Sequence, residues 1–226
     1  MLFEQYHPLA EGLDQICLGD PVAAELIAPR RDEILSQLVS YIAEIERCNP
    51  VLSLVGTADR RELVIRHILD SLAPLALIHR LCKGLPIADV GSGAGLPGIP
   101  LAIALRTTQF TLIERKGRRA EFLRNTLGMV HLSHTAVEEA EMEKVERGRF
   151  SLVTFRAFRP LEPKIYKKLL RLCADGGCLA AYKGRRQKAE AEMAALENAL
   201  PAGQWELIPC PVPMLDEERH ILVIHK

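Results

Sequence analysis

No stretch of the 226-residue sequence approaches the ~20 consecutive apolar residues that a membrane-spanning helix needs, so no transmembrane span is expected. The start, Met1-Leu2-Phe3-Glu4-Gln5-Tyr6-His7-Pro8, has neither a basic opening nor an apolar core and does not read as a secretory signal. The six cysteines, at 17, 48, 82, 173, 178 and 210, include no C-x-x-C pair and no zinc spacing. They read as buried thiols in a reducing cytoplasm, with neither a disulfide framework nor a metal site. Neither sign of charge is in excess: Lys+Arg and Asp+Glu are both 29. That balance argues against a protein that grips nucleic acid over its whole surface and leaves room for a local basic patch. With 48% apolar and 26% charged residues the composition is that of a globular chain, one large domain or one domain with a terminal extension.

Two regimes follow one another along the chain. Residues 1–84 read as a helical N-terminal extension, and residues 85–226 as the core. Ile34, Leu38, Ile42 and Ile45 fall at helical spacing within Arg31–Arg47, and Asn49-Pro50 is expected to end that helix. A second amphipathic stretch is expected from about Asp59 to Leu81, with His67, Asp70 and Ser71 close together on its polar side. From residue 85, short β-like runs alternate with helical ones: Pro86–Val90, Phe110–Glu114, a weak strand near Leu132, Phe150–Phe155 and Cys178–Lys183. Such alternation implies βαβ units and a parallel sheet. A helix Gln187–Leu200 precedes Trp205–Pro209 and His220–His225, which have no helix between them and must pair antiparallel at the sheet edge. The expected fold class is therefore α/β, Rossmann-like, in its methyltransferase variant: a seven-stranded, mostly parallel sheet with a C-terminal antiparallel hairpin.

Residues 87–98 read Ile-Ala-Asp-Val-Gly-Ser-Gly-Ala-Gly-Leu-Pro-Gly, a strand feeding a glycine turn that feeds a helix. Such a turn lets backbone lie against a ligand. Two ligand classes compete for it. Gly93, Gly95 and Gly98 satisfy the dinucleotide pattern G-x-G-x-x-G, whereas Asp89, Gly91, Gly93 and Gly95 form D-x-G-x-G-x-G. Asp89 would repel a pyrophosphate and suits a cationic ligand such as the amino group of S-adenosylmethionine. Glu114, at the next strand end, can accept both hydroxyls of an adenosine ribose, which either ligand carries.

The strings Arg66-His67-Ile68-Leu69-Asp70-Ser71-Leu72 and Gly95-Leu96-Pro97-Gly98-Ile99-Pro100-Leu101-Ala102, with Phe110–Glu114, Arg118-Arg119, Arg156-Ala157-Phe158 and Lys183-Gly184, carry a family resemblance over about residues 31–226. The chain resembles the bacterial 16S ribosomal RNA guanine-N7 methyltransferases, also called glucose-inhibited division protein B. The resemblance implies a cytoplasmic, S-adenosylmethionine-dependent enzyme acting on N7 of one guanosine in the decoding region of 16S rRNA, free or in an assembling small subunit. It carries cofactor contacts to Gly91, Leu96, Val137, Glu138 and Arg156. The family's asparagine-rich segment survives in Cys48–Leu54 only as Asn49, with Ser53 at the place of a second asparagine. Two alternatives stay open on the residues alone: a nicotinamide-dependent oxidoreductase, and a non-catalytic RNA-binding or ribosome-assembly protein on the same fold.

Guanine N7 carries a free lone pair, so methyl transfer to it needs alignment and no general base. Arg156, His67 and Asn49 are the candidate residues at the reacting base. Their structural alternatives are an ion pair for Arg156, a solvated face for His67 and a turn-ordering role for Asn49. Lys116, Arg118 and Arg119 after one strand, and Lys183, Arg185 and Arg186 after another, are the candidate contacts to RNA phosphates. The expected working unit is a monomer.

Overall fold

The computed structural model describes residues 7–82, 84–157, 161–196 and 204–226. The N-terminal half is helical, as expected. Helices α1 (His7–Gly19) and α2 (Pro21–Ile27) are followed by a short turn of 3₁₀ helix and by α3 (Arg31–Leu52). Asp20 caps α2 by accepting from the Val22 N–H at 2.8 Å, and Pro21 takes the first helical position, where a missing donor costs little. The expected break at Asn49-Pro50 does not occur there: α3 runs through Pro50 to Leu52 and stops at Ser53, whose φ of 48° is left-handed. Pro50 falls in the final turn, so it costs the one bond its N–H would have given the Glu46 carbonyl, and the helix ends two residues later. Asn49 then builds the turn, its Oδ1 accepting from the Leu54 and Val55 N–H groups at 2.8 and 2.9 Å and its Nδ2 donating to the Thr57 carbonyl at 3.0 Å.

The second amphipathic stretch is not one helix. It is α4 (Arg60–Leu63), a π-helical segment Val64–Leu69, α5 (Asp70–Leu72) and α6 (Leu75–Cys82), the last interruption falling at Pro74. Asp59 opens it, Oδ1 accepting from the Glu62 N–H at 2.6 Å.

Seven strands follow: β1 (Ile87–Val90), β2 (Phe110–Ile113), β3 (Thr135–Glu138), β4 (Phe150–Arg156), β5 (Cys173–Lys183), β6 (Trp205–Pro209) and β7 (His220–His225). Their order is β3-β2-β1-β4-β5-β7-β6. The first five are parallel, and β7 lies antiparallel between β5 and β6. Helices α7 (Gly98–Ala104), α8 (Gly117–Met129), α9 (Pro163–Leu170) and α10 (Arg186–Ala194) connect them. Three boundaries differ from expectation. The strand expected near Leu132 starts at Thr135, with Leu132 buried in the turn before it. Strand β5 starts at Cys173, five residues before Cys178, because an irregular register lets it pair with Phe150 before Leu152 meets Cys178. The helix expected to reach Leu200 is followed to Ala194, and residues 197–200, like Phe158, lie outside the described residues.

Successive side chains of a strand face opposite sides, and the core divides accordingly. Ile221 and Val223 point into one hydrophobic cluster with Leu9, Ile34, Leu38, Ile68, Ile99 and Leu123, whereas Leu222 and Ile224 point into a second with Ile165, Leu169 and Met193. The N-terminal helices thus share one face of the sheet with α7 and α8, and α9 and α10 cover the other. Leu38 is fully buried in the first cluster. We expect Leu38→Ala to cost about 2–5 kcal/mol of stability. Urea unfolding followed by helical circular dichroism and by Trp205 fluorescence should shift together, because one core carries both halves. A shift in the helical signal alone would make residues 1–84 an independent unit.

Candidate active site

The site forms where the C-terminal ends of β1, β2 and β4 meet. After Val90 the chain turns through Gly91, Gly93 and Gly95, and the N–H groups of Gly91 and Ser92 donate to the Ile113 carbonyl at 2.9 and 3.2 Å, stitching the loop to β2. Ser92 Oγ donates back to the Asp89 carbonyl at 2.9 Å. From α3, the fully buried Tyr41 hydroxyl donates to the Ala94 carbonyl at 2.7 Å, so the helical half holds the loop from behind. The glycines serve two purposes. A Cβ on Gly95 would collide with Ile99, so this position is small for packing. A Cβ on Gly93 would meet nothing nearer than the Gly91 carbonyl at 3.7 Å, and the φ of 57° there disfavours any side chain. That face of the loop is open.

It opens beside a cavity of about 520 Å³, whose wall includes Gly91, Glu114, Lys116, Arg119, Met142 and Ala157. Its size falls within the ~300–1,000 Å³ of small-molecule sites. Glu114 ends β2 as expected, and its carboxylate organises the rim: Oε2 accepts from the Gly93 N–H at 3.0 Å and Oε1 from the Lys116 N–H at 2.8 Å. Arg119, on the cavity wall, donates to the Ser53 carbonyl at 2.7 Å. The turn that Asn49 orders is therefore tied to the wall through Arg119, and Asn49 itself is spent on that turn.

Asp89 departs from its expected place. It is 0% exposed, beneath the loop and off the cavity wall. Oδ2 accepts from the Gly98 N–H at 3.0 Å, while Oδ1 has no partner among the described residues. Burial raises its pKa to about 7, against the lowering effect of the Gly98 N–H. The reason lies in the helix start: Gly98 opens α7, and its free N–H draws the carboxyl inward. Leu96 is likewise buried, in the core. Val137 packs on the core, and Glu138 pairs with Arg149 at 2.6 Å while its carbonyl accepts from the Glu114 N–H at 3.1 Å. The wall beyond β3 is made by the residues that follow, from Ala140 to Glu143.

Arg156, at the end of β4, points toward the helical half. Its Nη1 donates to Asp70 Oδ2 at 2.7 Å and to the Arg66 and His67 carbonyls at 3.2 and 3.4 Å, and its Nη2 donates to His67 Nδ1 at 2.5 Å. Ser71 Oγ also donates to the His67 carbonyl, at 2.6 Å. These donors converge on carbonyls of the wide π turn, where the Asp70 N–H also donates to the His67 and Ile65 carbonyls. An arginine only donates, so His67 Nδ1 accepts and the proton sits on Nε2. Burial first, and the Arg156 charge second, push the His67 pKa down to about 4. Asp70 is shared, its Oδ1 accepting from Arg219 Nε at 3.1 Å. Burial raises the Asp70 pKa, and the two arginines oppose that rise.

The two basic clusters are differently placed. Lys116 and Arg119 stand on the cavity wall, with Arg118 exposed beside them. Lys183, the last residue of β5, is paired at 2.5 Å with Glu192 of α10, which also accepts from the Leu161 N–H. Its charge thus holds the chain that follows β4. Arg185 and Arg186 are exposed, Arg186 pairing with Glu190 at 3.1 Å. Sequence reading did not single out Tyr41, Tyr182, Arg219 or Ala157. Tyr182 donates to the Ser71 carbonyl at 2.8 Å, and Ala157 lines the cavity with a left-handed φ of 48°. The first three act over long sequence separations that spacing does not reveal. Ala157 lies inside the Arg156-Ala157-Phe158 string.

Two variants test this geometry. Glu114→Ala removes the rim acceptor and should lower affinity for S-adenosylhomocysteine by about 2–4 kcal/mol in calorimetry. A loss under about twofold would take Glu114 away from the ligand. Asp89→Asn tests the buried carboxyl. The folded-state pKa of about 7 lies above the unfolded 3.8, so the stability its proton supplies is complete below 3.8 and lost as pH rises through about 7. His67 runs the opposite way, losing stability as pH falls from 6.5 toward about 4. Asparagine keeps an acceptor for Gly98 and cannot ionise. Thermal melts between about pH 5 and 7 should therefore show a smaller loss of stability with rising pH for the variant. An unchanged slope over that range would mean that Asp89 is ionised throughout.

Comparison with known proteins bears on the ligand choice. Residues 34–221 match the family described as rRNA small subunit methyltransferase G (GidB). A protein named ribosomal RNA small subunit methyltransferase G from Xanthomonas campestris pv. campestris (strain 8004) is 40% identical over 200 residues, covering 86% of this chain and 88% of that one. One of the same name from Treponema pallidum (strain Nichols) is 36% identical over 212 residues, 92% of each chain. The crystal structure of a SAM-dependent O-methyltransferase from Thermotoga maritima is similar in fold, with a TM-score of 0.52 and 18% identity over 70% of this chain and 64% of that one. The family and the two relatives are methyltransferases by name, which answers the choice of ligand class that the glycine loop alone leaves open, and the Thermotoga structure shares the fold. The chain belongs to the rRNA small subunit methyltransferase G family.

Proposed function

We propose that the protein transfers the methyl group of S-adenosylmethionine to N7 of one guanosine in the small-subunit ribosomal RNA. The observation that carries this is the cavity at the C-terminal edge of the sheet, bounded by the open glycine loop and by Glu114, in a chain whose family match covers residues 34–221. Ligands of open α/β sheets bind at that edge.

The residues fit the cofactor. Glu114 offers a carboxylate to ribose hydroxyls and the open Gly93 face allows close approach, while Asp89 stays beneath the loop and holds the start of α7. Bound S-adenosylmethionine supplies an electrophilic methyl on a sulfonium. The chain supplies alignment. Arg156 stands at the end of β4 with its charge anchored by Asp70 and His67, and in this reading the donors it does not spend there serve the cofactor or the guanine O6. His67 is neutral near pH 7 and spends Nδ1 on Arg156, so it positions that arginine and removes no proton. Lys116 and Arg119 on the cavity wall, with Arg118, Arg185 and Arg186 exposed at the same sheet edge, face the phosphates around the target. The protein acts as a monomer in the cytoplasm, where its RNA is.

The test is methyl transfer from radiolabelled S-adenosylmethionine to small-subunit rRNA, naked and as an assembling particle, with the labelled nucleoside identified by mass. Label as N7-methylguanosine at a single site is the expected result. No label on either substrate, or label at another atom, would overturn the reading. Arg156→Ala should keep most RNA affinity in filter binding and lose about tenfold or more in single-turnover transfer. Normal turnover would reduce Arg156 to a structural ion pair.

A further inference from the structure

A second basic surface lies at the opposite edge of the sheet. The turn before β4 and the end of α9 enclose a groove of about 410 Å³ lined by Arg147, Gly148, Lys167, Leu170, Arg171 and Lys226. Four of those six residues are cationic, and no Asp or Glu lines the groove. Helix α9 accounts for part of the pattern: Ile165, Tyr166 and Leu169 are buried, which turns Lys164, Lys167 and Lys168 outward.

What matters is how each charge is spent. Arg171 Nη2 donates to the carbonyls of Met142, Glu143 and Val145 at 2.8, 3.0 and 2.7 Å. Those partners are neutral, so the guanidinium is fixed in place with its charge intact. Lys226 donates to the Cys173 carbonyl at 2.7 Å and pairs with the fully exposed Asp175 at 3.1 Å. The side chains of Arg147 and Lys167 are exposed and make no hydrogen bond or ion pair among the described residues. Two carboxylates of neighbouring segments are engaged with other cations, Glu143 with Lys168 at 2.6 Å and Glu138 with Arg149 at 2.6 Å, and the exposed Glu146 beside Arg147 pairs with none among the described residues. The C-terminal end of α9 favours cations through the helix dipole, but that partial charge of about half a unit does not match Arg147, Lys167 and Arg171, the three without an anionic partner among the described residues. In a chain of zero net charge, such a concentration marks a place for a polyanion.

We propose that this groove binds the phosphodiester backbone of the substrate rRNA, at a segment away from the target guanosine. The proposal rests on the rRNA reading above. The groove lies at the start of β4 and Arg156 at its end. Seven residues of strand separate the two by about 20 Å at ~3.3 Å per residue. A target loop seated at the cavity does not reach the groove, and a longer RNA crossing that side of the sheet does.

The test uses the full chain and the double variant Arg147→Ala/Lys167→Ala, which removes two unbonded cations and leaves Arg171 and Lys226 to hold their carbonyls. Binding to complete small-subunit rRNA is measured at several salt concentrations, with S-adenosylhomocysteine calorimetry and single-turnover methyl transfer at saturating RNA alongside. The variant should bind rRNA more weakly. Its salt slope should fall by about 1.4–1.8, because each of two phosphates left unneutralised takes away about 0.7–0.9 of slope. Cofactor affinity and saturated turnover should not change. A short hairpin carrying only the target loop should bind both proteins equally. An unchanged salt slope on complete rRNA overturns the groove, as does a wild-type protein that binds no rRNA. Displacement by polyglutamate with an unchanged rRNA slope would assign the groove to an acidic protein and also overturn it. If the wild type transfers no methyl group but the slope still falls in the variant, the groove stands and the catalytic reading fails.

Discussion

Asp70 is a carboxylate almost withdrawn from water, and it is held by two arginines, Arg156 at 2.7 Å and Arg219 at 3.1 Å. A charge so placed cannot be left half paired, because removing one partner of a buried pair costs several kcal/mol. The consequence is geometric. Asp70 belongs to the interrupted helix of the N-terminal half, Arg156 ends β4, and Arg219 immediately precedes β7. One side chain therefore fixes the helical half, the middle of the sheet and its antiparallel end relative to one another. The π turn at Val64–Leu69 is part of the same arrangement, since it gives Arg156 two further carbonyls. Glu217 extends the tie by pairing with both Arg66 and Arg219.

The remaining parts of the site hang on that frame. Tyr41 reaches from α3 to the glycine loop, and Glu114 links that loop to the chain after β2. None of these side chains removes a proton in the proposed reaction. They fix where backbone N–H groups, a carboxylate and a guanidinium stand, which is what an in-line transfer to an exposed lone pair requires. The helical half is therefore part of the enzyme's working edge as well as of its core.

How legible this was in the sequence depended on range. The glycine loop, Glu114 at the β2 end and the seven mostly parallel strands with their closing antiparallel hairpin could be read because each is set by spacing within a few residues or by strand and helix alternation. The neighbourhood of His67, Asp70 and Ser71 was readable for the same reason. Their arginine partners lie 86 and 149 positions from Asp70, and no periodicity links them. Pro50 misled because a proline this near a helix end costs one backbone bond without stopping the two residues that complete the turn. Asp89 misled because the residue type was weighed against a ligand, whereas the free N–H at the start of α7 was nearer. Lys183 read as a surface cation because its partner, Glu192, sits on the following helix.

The central claim is that the buried Asp70 pairing holds the reacting edge in register. The most direct measurement is single-turnover methyl transfer to small-subunit rRNA by Asp70→Asn, under conditions where circular dichroism shows the variant folded. Asparagine keeps the shape and removes the charge, leaving Arg156 and Arg219 facing each other across a neutral group. A loss of about tenfold or more in transfer while the fold persists is the expected result. Transfer at the wild-type rate by the folded variant would contradict the claim.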